Sequence, residues 1–321
     1  MSLSHLKDWG FTSAAPHDKK GITFLQSDVS LFSVRTRREL IFDGLTHLRV
    51  RHNSTEDAGL FSLYGAYLRI SNNEEVLLEQ NQTCGTSSPQ SGGVIYGTVE
   101  STIVIDHNTN STIKGNSASN AQTALGGAIA TGMNNRLVLH HNSELSFSAN
   151  CALGITEGYG GAVYVGSGAD AQLTHNGNVL ISGNYVAGTN IAFGGAFFCD
   201  GNLMIAGNES VILENNVEAT DEITTLRSIH TTDLYEGKKL DLSAPAGGHI
   251  TIYDSIRIGA QTAVNFNADG RDLLENTYTG GGDIIFSGAK TKQHLEELLK
   301  RTATDEELTA SRTSILSLIH I

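Results

Sequence analysis

Gly126-Gly-Ala-Ile129, Leu137-Val-Leu-His-His-Asn142 and Phe147-Ser-Ala-Asn150 follow one another in the chain, and the whole stretch recurs. Gly-Gly pairs stand at Gly92-Gly93, Gly126-Gly127, Gly160-Gly161 and Gly194-Gly195, with 34 residues between successive pairs. Self-similarity at a fixed period of this length marks a stacked architecture.

Other landmarks keep the same phase. One set of apolar runs ends at Asn81, Asn116, Asn150, Asn184 and Asn216, spaced 35, 34, 34 and 32 residues apart. Another ends at Asn108, Asn142, Asn176 and Asn208. Each period then reads as three short strands with alternating apolar residues, closed by Asn or Gly, which describes one turn of a parallel β-helix. Inward residues such as Leu139, Leu173 and Ile205 are expected to stack from turn to turn. Asn suits the corners because it tolerates left-handed backbone and its amide bonds neighbouring peptides. A helical solenoid of equal period is rejected by composition, since the repeats are rich in Gly, Asn, Ser and Thr.

The fold expected is therefore all-β, a right-handed parallel β-helix with rungs of about 34 residues followed by an amphipathic helix. Residues 1–290 form the β-helix, with irregular early rungs over 1–75, regular repeats over 76–216, and a loop and later rungs over 217–290. The polar stretch Glu218 to Glu236 reads as a loop off the stack. Residues 291–314 form a helical insertion or cap, with Leu295, Leu298, Leu299 and Leu308 among Glu and Lys.

Among 321 residues the formal charge is −13, which disfavours nucleic acid and anionic membrane as partners because phosphate binding needs clustered Lys and Arg. Arg35, Arg37 and Arg38 are the compact basic cluster and read as a solvated face. Cys84, Cys151 and Cys199 are odd in number and fit no zinc spacing, so buried free thiols are expected. The sequence opens without a signal-peptide pattern and holds no run of the about 20 apolar residues that a membrane span needs.

His107, His141 and His175, spaced 34 and 34 and each directly before an Asn, form the sharpest constellation. A structural stack of imidazoles is the expected reading; a metal site on these three is the alternative, opposed because rings in register aim their nitrogens the same way. No cofactor is implied. Tyr64, Tyr67, Tyr96, Tyr159 and Tyr164 are candidates for a carbohydrate-binding face against ordinary strand packing. A polysaccharide lyase or hydrolase would need acids grouped on one face. Asp106, Glu144, Asp170 and Asp200 occupy different repeat positions, which leaves Asp254 with Arg257, and Asp269 and Asp272 with Arg271, as pairs whose expected reading is surface charge. Asn53, Asn81, Asn110 and Asn208 match the glycosylation sequon by composition alone.

Gly126-Gly-Ala-Ile129, Gly160-Gly-Ala-Val163 and Gly194-Gly-Ala-Phe197, with Phe147-Ser-Ala-Asn150, resemble the paired G-G-A-[ILV] and F-x-x-N repeats of the chlamydial polymorphic outer-membrane proteins. The resemblance is strongest from Val76 to Asn216. Phe147 alone supplies the Phe of F-x-x-N, and Phe197 departs from the aliphatic of the other motif. The resemblance implies an autotransporter passenger of a Gram-negative bacterium, displayed at the cell surface, anchored in the outer membrane or secreted. It implies adhesion to a host or cell-surface ligand, glycan or protein, without catalysis. The full-length protein is then expected to end in a membrane β-barrel, while this segment itself makes no membrane contact. Leu316-Ser-Leu-Ile-His-Ile321 matches one reading frame of a transposon end used to prepare sequencing libraries, so residues 315–321 are expected to be non-native.

Overall fold

The structure, a computed structural model, describes residues 21–285 apart from 28–29, 57–58, 87–88, 233–238, 244, 246–247, 260–261, 268–273 and 279–281. It is an all-β solenoid of stacked parallel strands, with no helix among the described residues. The helix expected over 291–314, Asp269 with Arg271 and Asp272, and the segment 315–321 lie outside the described residues.

Three sheets enclose the body. In the central coils the first sheet runs through Ile95–Val99, Ile129–Met133, Val163–Val165 and Phe197–Cys199. The second runs through Thr102–Asp106, Arg136–His140, Asp170–Thr174 and Asn202–Ala206. The third runs through Asn110–Lys114, Glu144–Ser148, Asn178–Ser182 and Ser210–Glu214. Period-two alternation sends every second side chain inward. In the third sheet this builds one column from Leu78, Ile113, Phe147, Ile181 and Leu213, all buried. The second sheet adds Ile105, Leu139, Leu173 and Ile205 in register. Each such side chain contributes roughly 1.5–3 kcal/mol on burial, so the core is a set of continuous apolar stacks.

A full coil holds five strands where the sequence suggested three. After Asn116, Asn150 and Asn184 the chain leaves the body in two more short strands, Ser117–Ser119 with Thr123–Leu125, Cys151–Leu153 with Glu157–Tyr159, and Tyr185–Ala187 with Ile191–Phe193. These stack into a thin fin with its own core of Ala118, Ala124, Ala152, Val186 and Ala192. Three-residue strands of Ala, Ser and Thr carry too little apolar contrast to announce themselves in the sequence. The fin also explains the irregular early rungs. Asn53 and Asn81 are 28 residues apart and Asn116 and Asn150 are 34 apart; most of that difference lies in the fin, because the early coil runs from Thr55 to Phe61 where the later one runs from Ala118 to Ile129.

The Gly-Gly pairs sit at the foot of the fin. Gly126, Gly160 and Gly194 adopt φ of 60°, 67° and 76°, the left-handed region that an unbranched backbone tolerates. A Cβ on Gly127 would overlap the Gly161 carbonyl of the next coil and the Cys151 backbone where the fin begins. The pair thus marks the place where body and fin backbones meet without side chains between them.

Two asparagine ladders lock coil to coil. In one, the Nδ2 groups of Asn73, Asn108, Asn142 and Asn176 each donate to Oδ1 of the next asparagine at 2.9–3.0 Å, ending at Asn208. In the other, Asn53, Asn81, Asn116, Asn150 and Asn184 do the same, ending at Asn216. Each Oδ1 also accepts the preceding asparagine's backbone N–H, as from Asn116 to Asn150 at 3.1 Å. The left-handed conformation belongs to the residue before each ladder asparagine, not to the asparagine itself: His107, His141, Ala149, His175 and Asn215 all have φ of 53–59°. The asparagines are held for their amides, which satisfy buried backbone groups.

The stretch read as a loop over Glu218 to Glu236 is in part a strand of the stack. Thr224–Thr231 pairs antiparallel with Val217–Ala219 and parallel with Phe197–Cys199, carrying the chain from the closing fin back into the first sheet. Its polar residues misled the reading because they are paired inside: Glu218, at the fin-core position of Val186, binds Arg227 and accepts from His230 Nδ1 at 3.1 Å.

Candidate functional site

Body and fin diverge at each Gly-Gly pair, and the wedge between them is a groove of about 610 Å³. Its walls follow from strand register. On the body side Tyr164, Phe198, His230 and Arg257 stand opposite one another on successive coils. On the fin side Leu125, Tyr159 and Phe193 do the same. Thr123, Ile191, Asp200, Thr232 and Pro89 complete the lining.

The rings pack as one cluster. Tyr164 stacks on Phe198 at 5.7 Å, Phe193 stacks on Phe198 at 6.1 Å, and Tyr159 reaches Phe198 at 4.9 Å. His230 lies against Phe193 at 4.0 Å. Polar groups flank this apolar surface. The Tyr164 hydroxyl lies 3.4 Å from Asp200 Oδ2, and the Tyr159 hydroxyl 3.4 Å from Glu157 Oε2. Burial, then the Glu157 charge beside it, pushes the Tyr159 phenol up to about 12, so it stays a neutral hydrogen-bond donor. His230 is buried and oriented by Glu218, which also accepts the Gly194 N–H at 2.5 Å. Arg257 supplies a cation at one end, and Asp200 is the one carboxylate among the lining residues.

Of the tyrosines singled out in the sequence, Tyr159 and Tyr164 line the groove, while Tyr64, Tyr67 and Tyr96 do not. Phe193, Phe198 and His230 are absent from the sequence candidates, and Arg257 stands among them only as a partner of Asp254. A signal was present for the rings: an aromatic residue directly precedes Gly160 and Gly194, and another stands three after Gly161 and Gly195.

The remaining candidates sit elsewhere. His107, His141 and His175 form the expected column, with ring centroids 4.9 and 5.4 Å apart and planes within 11°. Asp106 is buried beneath it and paired with Arg69 at 2.8 Å, whereas Glu144 and Asp170 are exposed. Asp254 closes an asparagine ladder and Arg257 lines the groove, so they serve different sites. Asn53, Asn81 and Asn208 are ladder residues with buried amides, which removes their sequons from modification in the folded chain; Asn110 is exposed. Cys199 is buried, and Cys84 and Cys151 are half-buried thiols two coils apart, roughly 10 Å at strand spacing, too far for a disulfide. Burial pushes the Cys151 thiol up to about 11.

Comparison with protein-family models, with curated proteins and with solved structures found no match.

Proposed function

We propose that this chain is a passenger-type β-solenoid of a bacterial surface protein, outer-membrane anchored or secreted, that binds a host or neighbour-cell glycan without catalysis. The observation that carries this reading is the pair of facing columns, Tyr164 and Phe198 against Tyr159 and Phe193. Flat aromatic faces give large apolar contact at small conformational cost, and sugar rings present apolar C–H faces to them while their hydroxyls need nearby donors and acceptors. Asp200, Arg257 and the two tyrosine hydroxyls provide these. The groove runs across coils, so its length suits an extended oligosaccharide more than a small compact ligand. The acidic, coil-locked body serves as a rigid support, and the resemblance to outer-membrane passengers, with the C-terminal barrel it entails, supplies the surface location.

A glycan array followed by calorimetry on the hits tests the reading. One saccharide class should bind, and Tyr159→Ala or Phe193→Ala should each weaken it about tenfold or more, equivalent to about 1.4 kcal/mol. The bound glycan should be recovered intact. Shortened or unsaturated products would instead favour the alternative, a polysaccharide lyase or hydrolase on the same scaffold. Binding indifferent to both substitutions would remove the groove from the account.

A further inference from the structure

The expected histidine column has an additional member that changes its chemistry. His140, one residue before His141 and on the outer end of the second sheet, leans across the column with its ring plane at 74° to that of His107 and 64° to that of His141. Rings stacked in register share a direction and cannot surround an ion; a ring turned across them can. One ring nitrogen from each of His107, His140 and His141 lies within 4.8 Å of the others. His140 Nδ1 and His141 Nδ1 are 3.0 Å apart. Ligands at 2.0–2.1 Å from tetrahedral zinc stand roughly 3.3 Å from each other, so this pair already has near-ligand spacing.

The surroundings orient the rings as such a site requires. His107 Nδ1 lies 3.0 Å from Asp106 Oδ2, which places a proton on Nδ1 and leaves Nε2 as a lone pair. His140 Nε2 lies 3.7 Å from the same oxygen, so its Nδ1 is the ring nitrogen turned toward His141. Asp106 is itself held by two bonds from Arg69, Nε to Oδ1 at 3.1 Å and Nη2 to Oδ2 at 2.8 Å. A carboxylate behind a histidine is the usual outer support of a metal ligand.

We propose that His107, His140 and His141 form a binding site for a first-row divalent cation of the zinc type, with Asp106 and Arg69 as the supporting shell and a fourth position open to solvent. Imidazole-only ligation favours Zn²⁺, Ni²⁺ and Cu²⁺ over Ca²⁺ or Mg²⁺. His107 and His141 are exposed, so closing their nitrogens from 4.8 Å to ligand spacing is a side-chain adjustment and leaves the coil in place. One of the two facing Nδ1 atoms carries the proton of their hydrogen bond in the free protein, and that ring moves it to Nε2 on binding. The site stands on the second sheet and is independent of the groove.

The test is titration of the full chain with ZnCl₂ by calorimetry and with CoCl₂ by visible absorption. One equivalent should bind below about 10 μM, with the intense d–d bands of four-coordinate cobalt. His140→Thr, which copies Thr174 of the next coil, and His107→Asn, which copies Asn72 of the previous one, should each weaken binding at least about tenfold. His175→Asn, which keeps a left-handed corner but removes a column ring that lies outside the cluster, should bind like the parent. Circular dichroism confirms that each variant is folded, and if one is not, the cobalt spectrum of the parent still decides. Binding weaker than the stated limit, a six-coordinate cobalt spectrum, or equal loss in His175→Asn and His140→Thr would overturn the site.

Discussion

Asp254 takes the place of an asparagine above Asn216: its Oδ2 accepts the Asn216 Nδ2 at 3.0 Å and the Asn216 backbone N–H at 2.9 Å. Oδ2 also accepts the Ser228 hydroxyl at 2.7 Å, and Oδ1 accepts the Asn215 N–H at 2.9 Å. A ladder asparagine must accept from one neighbour and donate to the other, whereas the top member here is met by donors. A carboxylate, which only accepts, fits that end and no interior rung.

Exchanging the two residue types should therefore have unequal effects. Asn150→Asp removes the donor that serves Ile113 O at 2.9 Å and Asn184 Oδ1 at 3.0 Å, and sets a carboxylate against that buried oxygen. A loss of about 3 kcal/mol or more is expected. Asp254→Asn keeps one accepting oxygen and turns an amide toward the Asn215 N–H, for a loss of about 1.5 kcal/mol. Chemical denaturation of both variants checks the order; equal losses would mean that the ladder has no direction.

The two kinds of glycine should also part company. Gly127→Ala drives a methyl into the Gly161 carbonyl and the Cys151 backbone, neither of which can yield, and should cost about 3 kcal/mol. Gly183 has φ of 65° and open space around it, and Ala149 and Asn215 occupy the same corner in neighbouring coils. Gly183→Asn should thus stay within about 0.5 kcal/mol of the parent. Thermal melts separate the two outcomes.

The contrast shows why some of this molecule was legible in its sequence. Gly127 answers a steric demand that admits one residue type, so it recurs in the successive coils of Gly93, Gly127, Gly161 and Gly195 and gives away the pitch. Phe147 and its equivalents need only be apolar and inward, and they alternate clearly enough to place the body strands. The fin needs small residues at Ala118, Ala124 and Ala152, and small residues in a Ser- and Thr-rich stretch look like a turn. The groove was half visible because Tyr164 and Phe198 keep one offset from the glycines, but His230 and Arg257 reach the same column after coils of different length. His140 was passed over because its phase differs by one residue from the repeating His107 and His141.

Asp43, in the same column of the second sheet as Asp106, offers a pH test. The Ser71 hydroxyl at 2.6 Å, then the Asn72 amide at 2.7 Å, hold its carboxyl below the ordinary 3.8 against a small opposing effect of burial. A carboxylate with a lowered folded value adds stability that is present above the unfolded value and lost as pH falls through the folded one. Its contribution should be complete above about pH 4 and fade progressively as pH falls through the lowered folded value. Asp43 is exposed, so the effect is read best as a midpoint by carboxyl NMR: Ser71→Ala should raise it toward 3.8. An unchanged midpoint would mean that the hydroxyl does not hold the charge.

Body and fin should respond oppositely to one added residue. In the second sheet Leu137 and Leu139 are buried and bridged in register to Ile103 and Ile105 below and to Ala171 and Leu173 above. One alanine inserted after Val138 reverses the alternation beyond it, sending Leu139 outward and His140 inward. Losing one buried leucine is worth roughly 2–3 kcal/mol before the histidine is desolvated, so the melting temperature should fall steeply and proteases should cut nearby. An alanine inserted after Thr189 enlarges an exposed fin tip bonded through the Thr189 and Asn190 N–H groups to the previous coil. Coils of 28 and 34 residues already coexist in the stack, and the fin absorbs most of the difference. That second insertion should therefore cost no more than about 1 kcal/mol. If both insertions destabilise alike, fin and body are one cooperative layer, and the separation of their two cores carries no energetic meaning.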